Sequence, residues 1–260
     1  MGLYQKYWSS SSPGLIIICG NSNLDSLCSE NVANLINRVI NEILMINFDG
    51  DAPKNRCFIS VIGYNHNMKE LCSGWLKDLD ENPLRYETLK KKTPDGTGGI
   101  YEIEVKQPVW VEPTTQDGAT NMLGVLSLAK DLASQWISDN PDGPAPVIIN
   151  ISDGVPYYNG KDPRLCMQET LALAKEIMNI SNTDGNVLFF NVCLKTIDLL
   201  QKDDIAESFL CEFSSKILKE TNINVEIEEK INLSDGFIYN DNINKIEKFL
   251  FTILYAIFAH

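Results

Sequence analysis

Four stretches of this sequence are continuous, mostly apolar and rich in β-branched residues, with none of the polar alternation of a half-exposed strand. They are Leu15 to Cys19, Arg56 to Tyr64, Val147 to Ile151 and Val187 to Val192. Such runs are typical of strands that are buried on both faces of a parallel sheet. Apolar residues at helical spacing predict helices between and after them, over 28–46, 117–136, 165–180, 205–219 and 243–258. The alternation predicts an α/β fold: a doubly wound, mostly parallel sheet of Rossmann type with helices on both faces.

The segment 65–113 interrupts this alternation. It is punctuated by Gly and Pro and holds strand-like pieces at 101–105 and 109–111, so we expect it to add short antiparallel edge strands. No change of composition marks a linker elsewhere. The sequence therefore predicts a flexible N-terminal segment, residues 1–12, followed by a single domain over residues 13–260.

The charge and the cysteine content exclude several classes of protein. The formal net charge is −13, and only four of the 22 basic residues are Arg, which argues against nucleic acid as a partner. The seven Cys are dispersed and odd in number, which is typical of a reduced intracellular protein rather than a disulfide framework. With His66 and His260 as the only histidines, the usual zinc ligand sets are absent.

The two ends of the sequence bear on localisation. The first residues do not form a charged leader followed by an apolar core, and the longest apolar run, 249–259, is too short to span a bilayer. We therefore expect a cytoplasmic, bacterial protein with no membrane partner. The apolar residues of 249–258 fall on one helical face, so this helix is predicted to dock on the sheet.

Three loops that contain polar residues are predicted to lie at the same edge of the sheet. In open α/β sheets ligands gather at the carboxyl ends of the strands, and here the loops 19–23, 116–121 and 152–156 are expected at that edge. One of them contains Gly118-Ala-Thr120-Asn-Met122 and another Ile149-Asn-Ile-Ser-Asp153-Gly154.

With these motifs the chain resembles the von Willebrand factor A-type (vWA) domains over nearly its whole length. In that family the first strand ends in Asp-x-Ser-x-Ser, a later loop supplies a Thr and a third supplies an Asp. Together these side chains hold a single Mg²⁺, the metal ion-dependent adhesion site. The resemblance implies a vWA-like fold and a role in binding other proteins.

Five further stretches are similar to a bacterial cytoplasmic branch of these domains, often found beside serine/threonine kinases and phosphatases. They are Val61 to Tyr64, Ser73 to Leu76, Val109 to Pro113, Asp184 to Asn191 and Gly236 to Asn240. The resemblance to this branch implies a scaffold or adaptor in a signalling or stress and defence system.

The first motif departs from the family pattern. Cys19 stands where the family has Asp, and Asn21 and Asn23 stand where it has Ser. Mg²⁺ is a hard cation that prefers charged or small oxygen ligands, so we expect a degenerate, empty site with Asn21, Asn23, Thr120 and Asp153 as its remaining ligands. No cofactor is expected, weak Mg²⁺ binding being the alternative.

Each of these residues also has a purely structural interpretation. Asn21 and Asn23 suit a helix cap, Asp153-Gly154 suits a turn, and Thr120 suits the first turn of a helix. Cys19 is read as a small buried apolar residue in preference to a reactive thiol.

Catalytic patterns are incomplete. Read as a thiol phosphatase loop, Cys19 would require Arg at position 25, which is Asp25, and a cysteine hydrolase requires a His base. Phosphate-binding glycine motifs are absent. The sequence therefore favours a non-enzymatic protein-interaction module. The alternative is an enzyme or a nucleotide- or metal-binding protein that uses the same crevice.

The predicted partner surface comprises Asn21, Asn23, Thr120, Asp153 and the stretch Val155 to Tyr158, with Tyr157 and Tyr158 as its anchors. The two tyrosines follow Pro156 in a loop, where exposed aromatic rings are typical interface anchors. Packing beneath the loop is the equally weighted alternative for both rings.

Overall fold

The computed structural model describes residues 8–21, 26–94, 99–113, 119–152, 154–158, 160–194, 203–215, 236–240 and 242–258. The strands are β1 Gly14–Asn21, β2 Phe48–Asp49, β3 Ala52–Pro53, β4 Cys57–Tyr64, β5 Met68–Trp75, β6 Arg85–Pro94, β7 Ile100–Val109, β8 Val147–Ser152, β9 Leu188–Leu194 and β10 Phe237–Asn240. The helices are α1 Ser26–Asn47, α2 Leu76–Glu81, α3 Met122–Asp139, α4 Pro163–Met178, α5 Asp203–Cys211 and α6 Ile243–Phe258.

The main sheet has six strands in the order β10-β9-β8-β1-β4-β5. All neighbours are parallel except β5, which runs antiparallel to β4 at the edge. The four strands predicted from the sequence are confirmed, and they are the four central ones. In the register of the sheet, Cys19 of β1 lies between Ile62 of β4 and Asn150 of β8.

Helices cover both faces of this sheet, as predicted. One face packs against α1 and α6 through residues such as Ile16, Ile18 and Ile149. The other face packs against α3, α4 and α5 through Leu15 and Ile17. Consecutive side chains of a strand point to opposite faces, and an apolar run without alternation is what burial of both faces requires.

The C-terminal helix α6 docks on the first of these faces, which confirms the prediction for it. Phe249, Leu250 and Leu254 are fully buried there. Arg38 of α1 forms an ion pair with Glu247 of α6. Among the described residues no helix has both the length and the apolarity that crossing a bilayer requires.

Part of the segment predicted to be flexible is packed. Residues 9–12 form a tight turn, and the Trp8 ring meets the Phe258 ring edge-on, with centroids 5.1 Å apart. Trp8 also lies over Gly14, where an added Cβ would clash with the indole. Because Gly14 has no side chain, the Trp8 indole can occupy the space above it.

The segment 65–113 supplies the predicted antiparallel edge strand, β5, and differs from the prediction in its other two strands. These strands, β6 and β7, form a separate two-stranded sheet with ten residues in each strand. The predicted piece at 101–105 lies within β7, which ends at Val109, so that 110–111 follow the strand. These strands alternate in polarity and carry many charges, so local apolar runs understate their length.

Other boundaries differ more modestly. The short helix α2 and the edge strand β10 were not predicted, because each is too short to show a clear period. The helix α3 begins at Met122, where the Asn121 side chain accepts a hydrogen bond from the Gly124 N–H and caps it. Helix α5 ends at Cys211, earlier than predicted, and the predicted part from 216 to 219 lies outside the described residues.

Candidate functional site

Of the three loops predicted to meet at the carboxyl edge of the sheet, the entry to α3 and the segment after β8 are joined there, whereas residues 22–25 of the first loop lie outside the described residues. The Tyr157 N–H, after β8, donates to the Thr120 carbonyl at 3.0 Å. The Asn121 N–H in turn donates at 2.9 Å to the carbonyl of Asn65, which follows β4. Main-chain hydrogen bonds thus tie the entry to α3 to the ends of two strands, which fixes the geometry of this edge.

The predicted site residues at this edge are buried as far as the structure describes them. Cys19 and Asn21 are completely buried and Thr120 is 3% exposed. Asn23 and Asp153 lie outside the described residues. The described part of the predicted metal site is therefore shielded from solvent.

The Cys19 thiol is neutral, because burial raises its pKa to about 12. This agrees with a small buried apolar residue, the interpretation preferred from the sequence. A thiolate is the nucleophilic and metal-binding form of cysteine, and burial withholds it here at physiological pH.

The described residues at this position are poor ligands for Mg²⁺. The described members offer a neutral thiol, an amide and a hydroxyl, with no charged oxygen among them. Mg²⁺ takes hard oxygen ligands in near-octahedral geometry and gives up its water reluctantly. Among the residues that the structure describes, no cluster of three His, Cys, Asp or Glu side chains is arranged to hold a metal.

One of the two tyrosines is exposed and the other is packed beneath the loop. Tyr157 is 49% exposed, whereas Tyr158 is 2% exposed and packs beneath the loop. Successive residues of an extended segment point to opposite sides, so one ring faces outward and the next inward. Tyr158 therefore cannot serve as a direct contact, and this part of the predicted surface is corrected.

Hydrogen bonds anchor the inward ring. The Tyr158 hydroxyl donates to Glu169 Oε2 at 2.6 Å, and Lys161 Nζ donates to the same carboxylate at 3.0 Å. Burial and the hydrogen bond to Glu169 raise the pKa of Tyr158, and that same bond, with Lys161, lowers the pKa of Glu169. The anchored Tyr158 thereby holds its neighbour Tyr157 in place at the surface.

Tyr157 borders an open groove of about 650 Å³ beside the predicted site. The groove lies between the loop after β8, the first turns of α4 and the beginning of α5. It is lined by Val155, Tyr157, Asp162, Pro163, Arg164, Met167 and Ile205. Of these residues, Val155 and Tyr157 were predicted from the sequence. The others belong to the start of α4 and to α5, and periodicity does not reveal which elements are neighbours in space.

Gly154 holds one wall of the groove close to the sheet. Its φ is +121°, a conformation that favours glycine, and a Cβ at this position would lie 2.6 Å from Ala206 of α5. The loop after β8 and helix α5 can pack this closely only with glycine between them. The glycine of the Asp153-Gly154 pair thus has a structural role.

A buried polar chain crosses the sheet next to Cys19, and the sequence analysis missed it. The Tyr64 hydroxyl donates to Asn150 Oδ1 at 3.0 Å, and Asn150 Nδ2 donates to Asn191 Oδ1 at 2.9 Å. Asn191 Nδ2 donates to Ser214 Oγ at 3.0 Å. The signal was present, because each Asn interrupts an otherwise apolar buried strand.

Comparisons with known proteins bear on the fold. Neither a family model nor a curated protein matches the sequence. Among solved structures, the pilus adhesin SpaC from Lactobacillus rhamnosus GG in its open conformation is similar, with a TM-score of 0.56 and 11% identity over 98% of this chain and 31% of the adhesin chain. The fold is vWA-like.

Two further solved structures are similar at lower scores. Proximal thread matrix protein 1 from the mussel byssus has a TM-score of 0.49 and 10% identity, over 95% of this chain and 48% of that one. The ArnB paralog VWA2 from Sulfolobus acidocaldarius has a TM-score of 0.44 and 14% identity, over 92% and 44%. The present chain thus spans about half the length, or less, of these proteins, and such low identities concern the fold alone.

Proposed function

We propose that this vWA-like chain is a non-enzymatic module that binds another protein through the groove beside Tyr157. The observation that carries the proposal is an open groove with apolar walls next to an exposed, firmly positioned aromatic ring. Interface cores are enriched in Tyr, Met and Arg, and Tyr157, Met167 and Arg164 all line this groove. A partner that inserts an apolar side chain between them would bury all three.

Two observations support an interaction role over catalysis. The Cys19 thiol near the end of β1 is buried and neutral, so this nucleophile is withheld from substrates. SpaC, which shares the fold at a TM-score of 0.56, is a pilus adhesin by name. Binding without chemistry uses what the described residues offer: shape, apolar area and an aromatic anchor.

The partner belongs, in this proposal, to a cytoplasmic kinase or phosphatase system of a bacterium. The support for this finer statement is the resemblance of the stretches 61–64, 73–76, 109–113, 184–191 and 236–240 to the branch of vWA domains found beside such enzymes. In a scaffold of this kind the groove would hold the enzyme or its substrate in place.

Tyr157→Ala is expected to weaken partner binding at least tenfold, because truncation of a central aromatic anchor typically costs roughly 2 kcal/mol or more. The melting temperature should stay within about 1 °C, since the ring is half exposed. The measurement is quantitative capture of kinases and phosphatases encoded beside the gene, followed by titration of the captured partner.

Tyr255→Ala is the matched control, because Tyr255 is 48% exposed on α6 and its ring lies outside the groove lining. This control should bind the partner normally. Equal binding by Tyr157→Ala and the unchanged protein would refute the groove as the interface. A large fall in melting temperature for Tyr157→Ala would assign the ring to the core instead.

The degenerate metal site gives a second test of the proposal. The natural protein should show no Mg²⁺ or Mn²⁺ binding tighter than about millimolar by calorimetry, because Cys19 stands where the family has a carboxylate and Asp153 is left as the one charged ligand of the predicted set. The triple change Cys19→Asp, Asn21→Ser and Asn23→Ser returns a carboxylate and two short hydroxyls, and it should bind Mn²⁺ measurably. The double variant Asn21→Ser and Asn23→Ser, which keeps Cys19, is the control and should not bind Mn²⁺. Tight binding by the natural protein would contradict the degenerate site and leave the groove to be judged by the Tyr157→Ala test alone.

A further inference from the structure

Neither face of the β6–β7 hairpin is buried against residues that the structure describes. From Arg85 to Pro108 no described side chain is buried, on either face of the hairpin. Its base is held firmly, since the buried Trp110 N–H donates to Asn37 Oδ1 at 2.8 Å and Arg85 pairs with Glu112. A two-stranded hairpin without a third strand or a covering helix is marginal in water. Ten-residue strands in this state would gain stability from a further strand.

On one face of the hairpin, β7 presents a run of apolar side chains. Leu89 and Val105 lie directly opposite each other, and Ile103 and Tyr101 follow Val105 on the same face, where the β6 positions include the charged residues Glu87 and Lys91. Leu89 is 41% exposed, Val105 38% and Tyr101 49%. On the opposite face Lys90 faces Glu104 and Lys92 faces Glu102.

Within the described part of the chain, β6 and β7 form a sheet with no third strand, so the outer edge of β7 is a template for strand addition. Its central residues are Glu104-Val105-Lys106. If a second β7 runs antiparallel with Val105 opposite Val105, each Glu104 faces the Lys106 of the other copy. The sequence of this edge is thus complementary in charge to itself.

We propose that the hairpin is the interface of a two-fold homodimer, in which β7 pairs antiparallel with β7 of a second copy in the register centred on Val105. The pairing creates a four-stranded sheet that carries Tyr101, Ile103 and Val105 of both copies on one face. Two Glu104–Lys106 cross-strand pairs fix the register, as opposite charges across a sheet do.

The outer edge of β6 is less suited to the same role. It carries Lys90-Lys-Lys92 with a single acidic residue, Glu87, which already pairs with Arg85. Two copies of this edge would repel each other, and lysine is a usual protection of an exposed edge. Pairing of β6 with β7 of another copy would not close and would give polymers, which the −13 charge of each chain opposes.

Sedimentation equilibrium of the full chain at low salt should show a monomer–dimer equilibrium with a dissociation constant below about 1 mM, since the interface is small. Lys106→Glu replaces both opposite-charge pairs by pairs of facing carboxylates and should weaken the dimer roughly tenfold. Glu104→Lys should do the same through two pairs of lysines. An equimolar mixture of these two variants brings carboxylates opposite lysines again and should dimerise as well as the unchanged protein.

A cross-link provides a test that does not depend on charge. Val105→Cys should form an intermolecular disulfide under mild oxidation, because the two Cβ atoms face each other across the pair. Ile103→Cys is the matched control: its two copies would be offset by four residues, about 14 Å along the strand, and should not cross-link. Both variants keep their fold if their melting temperatures match that of the unchanged protein.

A protein that stays monomeric at all concentrations up to about 1 mM would overturn the proposal, because the expected dissociation constant lies below that value. The proposal is also overturned by polymers in place of dimers, which would indicate β6–β7 pairing. A third contrary result is a dimer that Lys106→Glu leaves unchanged or that Ile103→Cys cross-links as readily as Val105→Cys.

Discussion

A chain that ends at Lys248 will fail to fold or will aggregate, because the removed part of α6 completes one face of the sheet. The lost side chains include Phe249, Leu250, Ile253, Leu254, Ile257 and Phe258, all of them buried. At about 2 kcal/mol each, their burial contributes on the order of 10 kcal/mol before entropy costs. This is comparable to the entire stability of a typical domain. Circular dichroism and size-exclusion chromatography of the shortened chain provide the measurement.

A single substitution separates packing from chain length. Leu250→Ala should lower the free energy of unfolding by about 2–5 kcal/mol, as for other fully buried leucines. Tyr255→Phe on the exposed side of the same helix removes only a surface hydrogen bond to Glu42 and should cost less than about 0.5 kcal/mol. A shortened chain that stays folded and monomeric, with full-length protein that sediments with lipid vesicles, would show that α6 has another role.

Asn191→Ala is expected to cost about 3 kcal/mol or more, although it removes only a small side chain. Asn191 accepts from Asn150 Nδ2 and donates to Ser214 Oγ and to the Leu210 carbonyl at 3.2 Å. Its loss leaves buried donors and acceptors without a partner, each at a cost of roughly 1–3 kcal/mol. Chemical denaturation measures the change in the free energy of unfolding.

The cost should come from unpaired groups and not from volume, and a double-mutant cycle tests this. Asn150→Leu and Asn191→Leu together should cost less than the sum of the two single changes by at least about 1 kcal/mol, because the second change removes the partner that the first left unsatisfied. Asn244→Ala on the exposed start of α6 is the control and should be near neutral. Additive costs at 150 and 191 would contradict the interpretation of a coupled chain.

The central sheet could be predicted because its sequence signal is strong and local. Ile16 to Ile18 and Val147 to Ile151 are β-branched runs that fit few other places in a fold, and they form the middle of the sheet. The carboxyl-edge loops followed from the direction of parallel strands. The meeting of Thr120 with the loop of Tyr157 is therefore a prediction from topology, not from a motif.

The groove, the long hairpin and the difference between the two tyrosines could not be predicted, because none of them is marked by a local apolar run. The groove depends on Arg164, Met167 and Ile205, which belong to two helices, and helical periodicity shows which face is apolar but not what lies across from it. The long hairpin was underestimated because exposed strands carry charges in place of apolar runs. The difference between Tyr157 and Tyr158 depends on which ring Glu169 can reach, which requires coordinates.

The position of α6 has a consequence for how the chain acquires its structure during synthesis. The ribosome makes β1, β4, β8 and β9 before Ile243–Phe258, yet the face formed by residues such as Ile16, Ile18 and Ile149 is fully covered only when α6 arrives. Trp8, which is made before all of these strands, also gains Phe258 as its neighbour only then. The nascent chain must therefore carry an uncovered apolar surface until α6 emerges, and such exposure favours aggregation and chaperone binding.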